Sequence, residues 1–350
     1  MKHTEVAIVG GGIIGLSLAL ELAEAGRQVT VFERNQVMRE SSWAAAGMLA
    51  AADPENPTAL RPLSEWSGRL YPQFLERIQR LSGETVPLRT TQALQGVDHL
   101  PKNLFPLDNT SLQALVPDLQ TNGRSFFAIE EASLDPRDLC RTLPKAVRAA
   151  GATIHEHSPV RNVSEHSNSV AFLAGEEHWT ANQLIYTAGA WSGELADLPV
   201  TPRKGQILEV HHPGPETLKI VLRTPEIYLV PRGNGRIVIG ATVEEAGFDK
   251  QLRPAATEKI LKTAAALWPP IKRASVTAEW TGLRPATPDE LPAIGSISAR
   301  RWVAAGHFRN GILLAPGTAR LLRQIILGEQ TEIDPQVFQC GRLAVPSVSS

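Results

Sequence analysis

Four groups of residues have types and spacings that could do chemistry. Arg284 lies in Trp280-Thr281-Gly282-Leu283-Arg284-Pro285, just past an expected strand. A guanidinium fixed there offers a planar fork that takes a carboxylate through two hydrogen bonds. Most arginines merely solvate a surface. Tyr228 is the only tyrosine after Tyr186. Its hydroxyl either donates to such a carboxylate or is satisfied inside the fold. Arg309-Asn310-Gly311, with Ile312 behind it, joins a strand-like run to a long helical one. A helix N-terminus there would direct free N–H groups and a positive dipole end at whatever lies before it. Gly10, Gly12 and Gly15 form G-x-G-x-x-G, and Glu33 closes the following strand.

The glycines and Glu33 need a strand, a turn, a helix and a second strand to position them. VAIV (6–9), the glycine turn, LSLALELAEAG (16–26) and QVTVFE (28–33) read as those pieces. Gly10 allows the tight turn, Gly12 a close approach of pyrophosphate, and Gly15 close packing of helix on sheet. Ile13 and Ile14 open the helix at the phosphates. Glu33, followed by Arg34, suits ribose hydroxyls rather than a 2′-phosphate. The stretch is therefore expected to bind a dinucleotide. Glu21 and Glu24 interrupt its apolar run, which argues against a signal peptide or a membrane span.

Two runs of tiny side chains follow strand ends: Ser41-Ser42 leading through Ala46 and Gly47 to Met48, and Ala188-Gly189-Ala190. Each is expected to carry backbone close to a large ligand, at the carboxyl ends of parallel strands. Residues 65–81 predict a packing helix interrupted by Pro72. Asp135-Pro136 caps and opens a helix that Gly151 ends, followed by a strand over ATIHEH and then Val160. Arg137 and Asp138 read as surface charges. From 201 the texture becomes antiparallel, with a hairpin at Gly233-Asn234-Gly235 and a helix over 254–269.

The fold class is thus α/β: a discontinuous Rossmann-type cofactor domain (1–83, 129–200, 278–340) and a mainly antiparallel substrate domain (84–128, 201–277). Residues 341–350 read as a frayed tail. The net charge of −1 gives no electrostatic case for nucleic acid or an anionic membrane. Cys140 and Cys340 form no motif, so a reducing, cytoplasmic compartment is expected. His155 and His157 lack further ligands, and no metal site is expected. No Ser–His–Asp order, catalytic carboxylate pair or P-loop stands out, and no side chain is assigned as acid or base. That suits an enzyme whose cofactor carries the chemistry.

G-x-G-x-x-G, the acid at the second strand's end and SSWAAAGML resemble the amino-acid oxidase superfamily. Within it, S-x-A-A-A-G-M-L and G-H-F-R-N-G-I-L-L-A-P resemble the glycine oxidases of thiazole (thiamine) biosynthesis. The resemblance implies non-covalent FAD, because no cysteine stands where sarcosine oxidases attach their flavin. It implies that Ser41, Ser42, Gly47 and Met48 line the flavin. It also implies that Val160 meets the adenosine portion and that Arg309–Gly311 holds the isoalloxazine. Y-x-V-P and W-x-G-L-R-P-x-T-x-D resemble the family's substrate motifs. They imply that Tyr228 and Arg284 hold the substrate carboxylate, with Arg309 and Met48 nearby. The implied reaction is hydride transfer from a small amine to flavin N5, with oxygen reduced to hydrogen peroxide. Glycine, sarcosine, D-alanine and D-proline are the implied substrates, and a tetramer the implied assembly. Val243 stands where glycine oxidases often carry a larger residue, which implies a wider pocket. A D-amino-acid dehydrogenase or an N-methyl amine oxidase is the neighbouring reading.

Overall fold

The computed structural model describes residues 1–99, 104–214 and 218–343; most of the expected tail lies outside them. In chain order its strands are β1 (Lys2–Val9), β2 (Val29–Phe32), β3 (Leu88–Val97), β4 (Ser125–Leu134), β5 (Thr153–His155), β6 (Val160–Glu165), β7 (Val170–Ala174), β8 (Glu177–Tyr186), β9 (Thr201–His211), β10 (Val221–Arg223), β11 (Tyr228–Gly233), β12 (Arg236–Gly240), β13 (Ser275–Ala286), β14 (Ala293–Ser296) and β15 (Arg301–Ala305). The longer helices are α1 (Ile13–Glu24), α2 (Arg61–Ser82), α3 (Pro136–Ala149), α4 (Pro254–Leu267) and α5 (Gly311–Leu327).

The first sheet runs β14-β15-β8-β1-β2-β5, with β7 and β6 attached through β8. β1 pairs in parallel with β2 and β8, and β8 in parallel with β15. β1 is apolar on both faces from Val6 to Val9, as a central parallel strand must be. Helices α1, α2, α3 and α5 cover one face and share one apolar core with it. α3 starts as its sequence demands: the Asp135 side chain accepts from the Arg137 N–H at 3.0 Å and Pro136 fills the first turn.

The second sheet runs β13-β9-β12-β11-β10-β3-β4 and is antiparallel except between β10 and β3. The β11–β12 hairpin closes on Asn234 and Gly235, both at positive φ (53° and 75°), the backbone that a two-residue primed turn requires. Two expected boundaries fall inside strands of this sheet. β13 hydrogen-bonds along β9 from Ser275 opposite His211 to Ala286 opposite Thr201, so the chain re-enters the first sheet only at β14, not at 278. β4 likewise carries the second sheet past 129 to Leu134. In both cases the motif that suggested a return lies at the strand's far end. The strand after Gly151 is also shorter than expected. It stops at His155, and His157 sits in a turn at φ 55°, so the two histidines do not share a strand face.

α2 has a positioning task. Pro316 lies inside α5 and has no N–H for the Ile312 carbonyl one turn earlier. The Tyr71 hydroxyl donates to that carbonyl instead, at 2.6 Å. Ser67 Oγ accepts from the Gly317 N–H at 2.9 Å and donates to the Leu313 carbonyl at 2.6 Å. The first turn of α5 is thus held from the side by α2.

Candidate active site

A cavity of about 440 Å³ lies between the carboxyl ends of β1 and β8 and the face of the second sheet. Gly10 turns the chain off β1 at φ 114°, and a Cβ there would stand 2.6 Å from the Thr187 carbonyl oxygen. Gly12 is the N-cap of α1 and contributes no side chain of its own to the helix end. Ser42 Oγ accepts from the Ile13 N–H at 2.9 Å. Glu33 accepts from the Gly11 N–H at 2.9 Å and from the Asn35 N–H at 3.0 Å. Both of its oxygens keep lone pairs for a ribose. Gly10, Gly12, Ile13, Ile14, Glu33 and Arg34 all line the cavity. Gly15 does not. A Cβ there would collide with the Gly10 carbonyl and Thr187 Oγ, so its place is the helix–strand contact behind the wall.

The segment 41–49 forms a second wall, fixed through its carbonyls. Trp280 Nε1 donates to the Ala44 oxygen at 3.0 Å, Arg232 to the Ala46 oxygen, and the Leu134 N–H to the Gly47 oxygen at 2.9 Å. Ser41 Oγ donates to the Leu283 carbonyl at 2.5 Å. Gly47 takes φ 74°, and a Cβ there would press on Pro136. Tiny side chains are needed because the segment is squeezed between the second sheet and the cavity. Arg137, expected as a plain surface charge, is wedged between two indoles, 4.3 Å from the Trp43 centroid and 4.4 Å from that of Trp280. Its apolar stem and planar cation fill a gap between α3, this segment and β13.

On the second sheet Tyr228 and Arg284 face the same space. Two strand glycines make room for them. A Cβ at Gly240 would run into the Tyr228 ring, and one at Gly205 into the Arg284 guanidinium. Arg284 Nη1 donates to the Thr242 carbonyl at 3.1 Å, and the guanidinium also interacts with the Tyr228 hydroxyl. Burial lowers the Arg284 guanidinium and raises the Tyr228 phenol, each opposed by the other's charge. The pair is thus a cation and a neutral hydroxyl donor, suited to one carboxylate.

At the opposite end, Asn310 caps α5 without a side-chain bond, leaving the helix start open to the cavity with Gly311 and Ile312. Phe308 is held at φ 44° with its N–H on the Pro285 carbonyl at 2.7 Å. Arg309 lines the cavity, but its side chain turns to Glu55 at 3.3 Å, because an exposed guanidinium takes the nearest carboxylate. His307 is buried, with Nε2 3.1 Å from Thr318 Oγ1, and burial holds its imidazole down to about 3. It is a neutral packing residue. Val243 lines the cavity and is 62% exposed. Ser41, Ser42, Ala46, Gly47, Met48, Val160, Ala188 and Gly189 line the same cavity.

The sequence reading missed a buried cluster on this wall. Arg223 is 5% exposed. It pairs with Glu131 at 2.9 Å and lies 3.9 Å from Asp53. Burial pushes the Glu131 carboxyl up, and Arg223 opposes this. Its partners come from β4 and the loop after Ala50, so local sequence carried no signal. Trp191 was missed too. It lines the cavity, with the Arg34 guanidinium 3.5 Å above its ring. Among the described residues no His, Cys, Asp and Glu group could hold a metal, and no helix is long and apolar enough to cross a membrane.

A family model described as "FAD dependent oxidoreductase" (DAO) matches residues 5–325. The chain is 33% identical to a glycine oxidase of Pseudomonas aeruginosa, over 97% of this chain and 99% of that protein. It is 34% identical to the bifunctional protein ThiO/ThiG of Trichormus variabilis, over 94% of this chain and 53% of that protein. The crystal structure of glycine oxidase from Geobacillus kaustophilus superposes with a TM-score of 0.92 at 28% identity, covering 99% of this chain and 100% of that one. The chain belongs to the FAD-dependent oxidoreductase family, among its glycine oxidases, and is an FAD-dependent amino-acid oxidase.

Proposed function

We propose that the chain oxidises glycine and other small amines, among them sarcosine, D-alanine and D-proline, to an imine that hydrolyses to the oxo acid and ammonia. The observation that carries this is the pairing of Arg284 and Tyr228 on the wall that faces the open starts of α1 and α5. The residues fit the cofactor. Gly10 and Gly12 leave space where a Cβ would intrude or cover the helix end, and the N–H groups of α1 suit a pyrophosphate. Glu33 would hold the ribose, and Val160, Ala188 and Gly189 the adenosine side. Ser41 to Met48 and Arg309 to Ile312 would hold the ring. FAD, when bound, supplies the hydride acceptor and passes the electrons to oxygen, giving hydrogen peroxide.

The chain's own contribution is placement. Arg284 and Tyr228 would fix the substrate carboxylate and leave the amine unclamped, free to give its proton to solvent before the α-hydrogen is transferred. No side chain need act as a base on carbon, so positioning does most of the work. The open start of α5 would favour negative charge on a ring held there, by about 0.3–1 kcal/mol and up to about 2 when partly buried.

The likeness to ThiO/ThiG supports delivery of the imine to thiazole synthesis. Cytoplasmic location, supported by two unpaired cysteines, and a tetramer belong to the same reading. The test is a peroxide assay across these amines with wild type and Arg284→Ala. Glycine-dependent peroxide is expected from the wild type. A strongly raised KM with flavin still bound is expected from the variant, and unchanged kinetics would remove Arg284 from the site.

A further inference from the structure

Arg223 lies directly opposite Tyr228 in the β10–β11 register. Register partners project on one face of a sheet, and both residues line the cavity. Its guanidinium is almost fully used on one side. Nε donates to Gln95 Oε1, and Nη1 donates to Glu131 Oε1 at 2.9 Å and lies 4.0 Å from Met48 Sδ. Nη2 is buried and has no hydrogen-bond partner among the described residues. The nearest acid on that side is Asp53, at 3.9 Å, beyond hydrogen-bond reach. A buried, idle donor on a cavity wall is costly unless the occupant satisfies it.

The charges around Nη2 define what that occupant is. Arg223 faces two carboxylates, Glu131 and the more distant Asp53, so one negative charge is in excess beside the free donor; Asp53 Oδ1 accepts from the Glu55 N–H at 3.0 Å, and its Oδ2 is the oxygen on the Nη2 side. Nη2 asks for an acceptor and Asp53 for a donor. A carboxylate would satisfy the first and repel the second. An apolar group would leave both unpaired. A carboxamide or hydroxyl serves both. The neighbouring residue on this face is the Tyr228 that holds the α-carboxylate under the function proposed above, and this inference rests on that reading.

We propose that Arg223 and Asp53 form a second subsite, which recognises an uncharged polar side chain of an amino-acid substrate. D-asparagine, D-leucine and D-aspartate have nearly the same shape and differ only in that terminal group, which makes them the probes. Their dissociation constants are read from perturbation of the visible flavin spectrum of the anaerobic holoenzyme, and their kcat/KM from peroxide release. In the wild type, D-asparagine should bind about tenfold or more tighter than D-leucine and D-aspartate, because polar groups built to pair reject analogues that leave them unpaired.

In Arg223→Met the asparagine-to-leucine ratio should fall to within about threefold of one; comparing ratios within each protein cancels any general loss. Should Arg223→Met fail to fold, Asp53→Asn tests the other half. There the aspartate-to-asparagine affinity ratio should rise by about tenfold, since the repelling charge is gone. A wild-type ratio near one, tightest binding of D-aspartate, or no binding of any of the three would overturn the subsite. If glycine too gives no peroxide, the functional reading fails as well. If glycine is oxidised, only the subsite falls.

Discussion

Among the described residues Arg284 pairs with no carboxylate, which leaves its charge for the substrate carboxylate under the proposed function. Losing one charge-assisted hydrogen bond costs about 1.5–3 kcal/mol, and about 1.4 kcal/mol is tenfold, so Arg284→Ala should raise the glycine KM by roughly 10- to 10²-fold. Gly205→Ala should act in the same direction without touching the arginine, because its Cβ would displace the guanidinium. Steady-state kinetics checks both. His307 gives a stability prediction. Its folded value is depressed to about 3 from an ordinary 6.5. The unfolded chain therefore binds the extra proton first. Stability is intact above about pH 6.5 and is lost as pH falls toward 3, by about 2 kcal/mol at pH 5. Thermal melts from pH 7 to 4.5 should fall more steeply for wild type than for His307→Gln, whose side chain does not titrate. Parallel slopes would contradict this burial.

At the scale of elements, the start of α5 depends on a helix distant in sequence. Pro316 frees the Ile312 carbonyl and α2 returns a partner through Tyr71. Tyr71→Phe should leave that carbonyl unsatisfied and cost about 1–3 kcal/mol in stability, with weaker FAD binding measured by flavin release. The 41–49 segment depends on Arg137 in a similar way. Arg137→Ala should cost about 1–2 kcal/mol, read as a lower Tm with glycine turnover largely retained at low temperature. These elements differed in how legible they were. The α1 unit, the Asp135 cap and the Gly233–Gly235 hairpin could be read directly, because each is specified by neighbouring residues. The true extents of β4 and β13 could not, because a strand's sheet is chosen by partners far along the chain. Arg137 looked like surface for the same reason: Trp43 and Trp280 reach it from distant segments.

The whole molecule is a dinucleotide-type sheet faced by an antiparallel wall, with one cavity where they meet. Motifs near the start and end gave away the cofactor side, since backbone conformation and helix ends have local signatures. The substrate side was legible only where a motif resemblance marked Tyr228 and Arg284. The Arg223–Glu131–Asp53 cluster was silent, because charges that meet across a sheet leave no local pattern. The central claim is that this cavity joins a bound flavin to an amine held by its carboxylate. The most direct test is anaerobic mixing of the purified holoenzyme with glycine, followed by admission of air. Bleaching of the visible flavin band, then its return with one hydrogen peroxide released per glycine consumed, is the expected result. A flavin that stays oxidised with glycine and every other small amine, or that is reduced but not reoxidised by oxygen, would contradict the account.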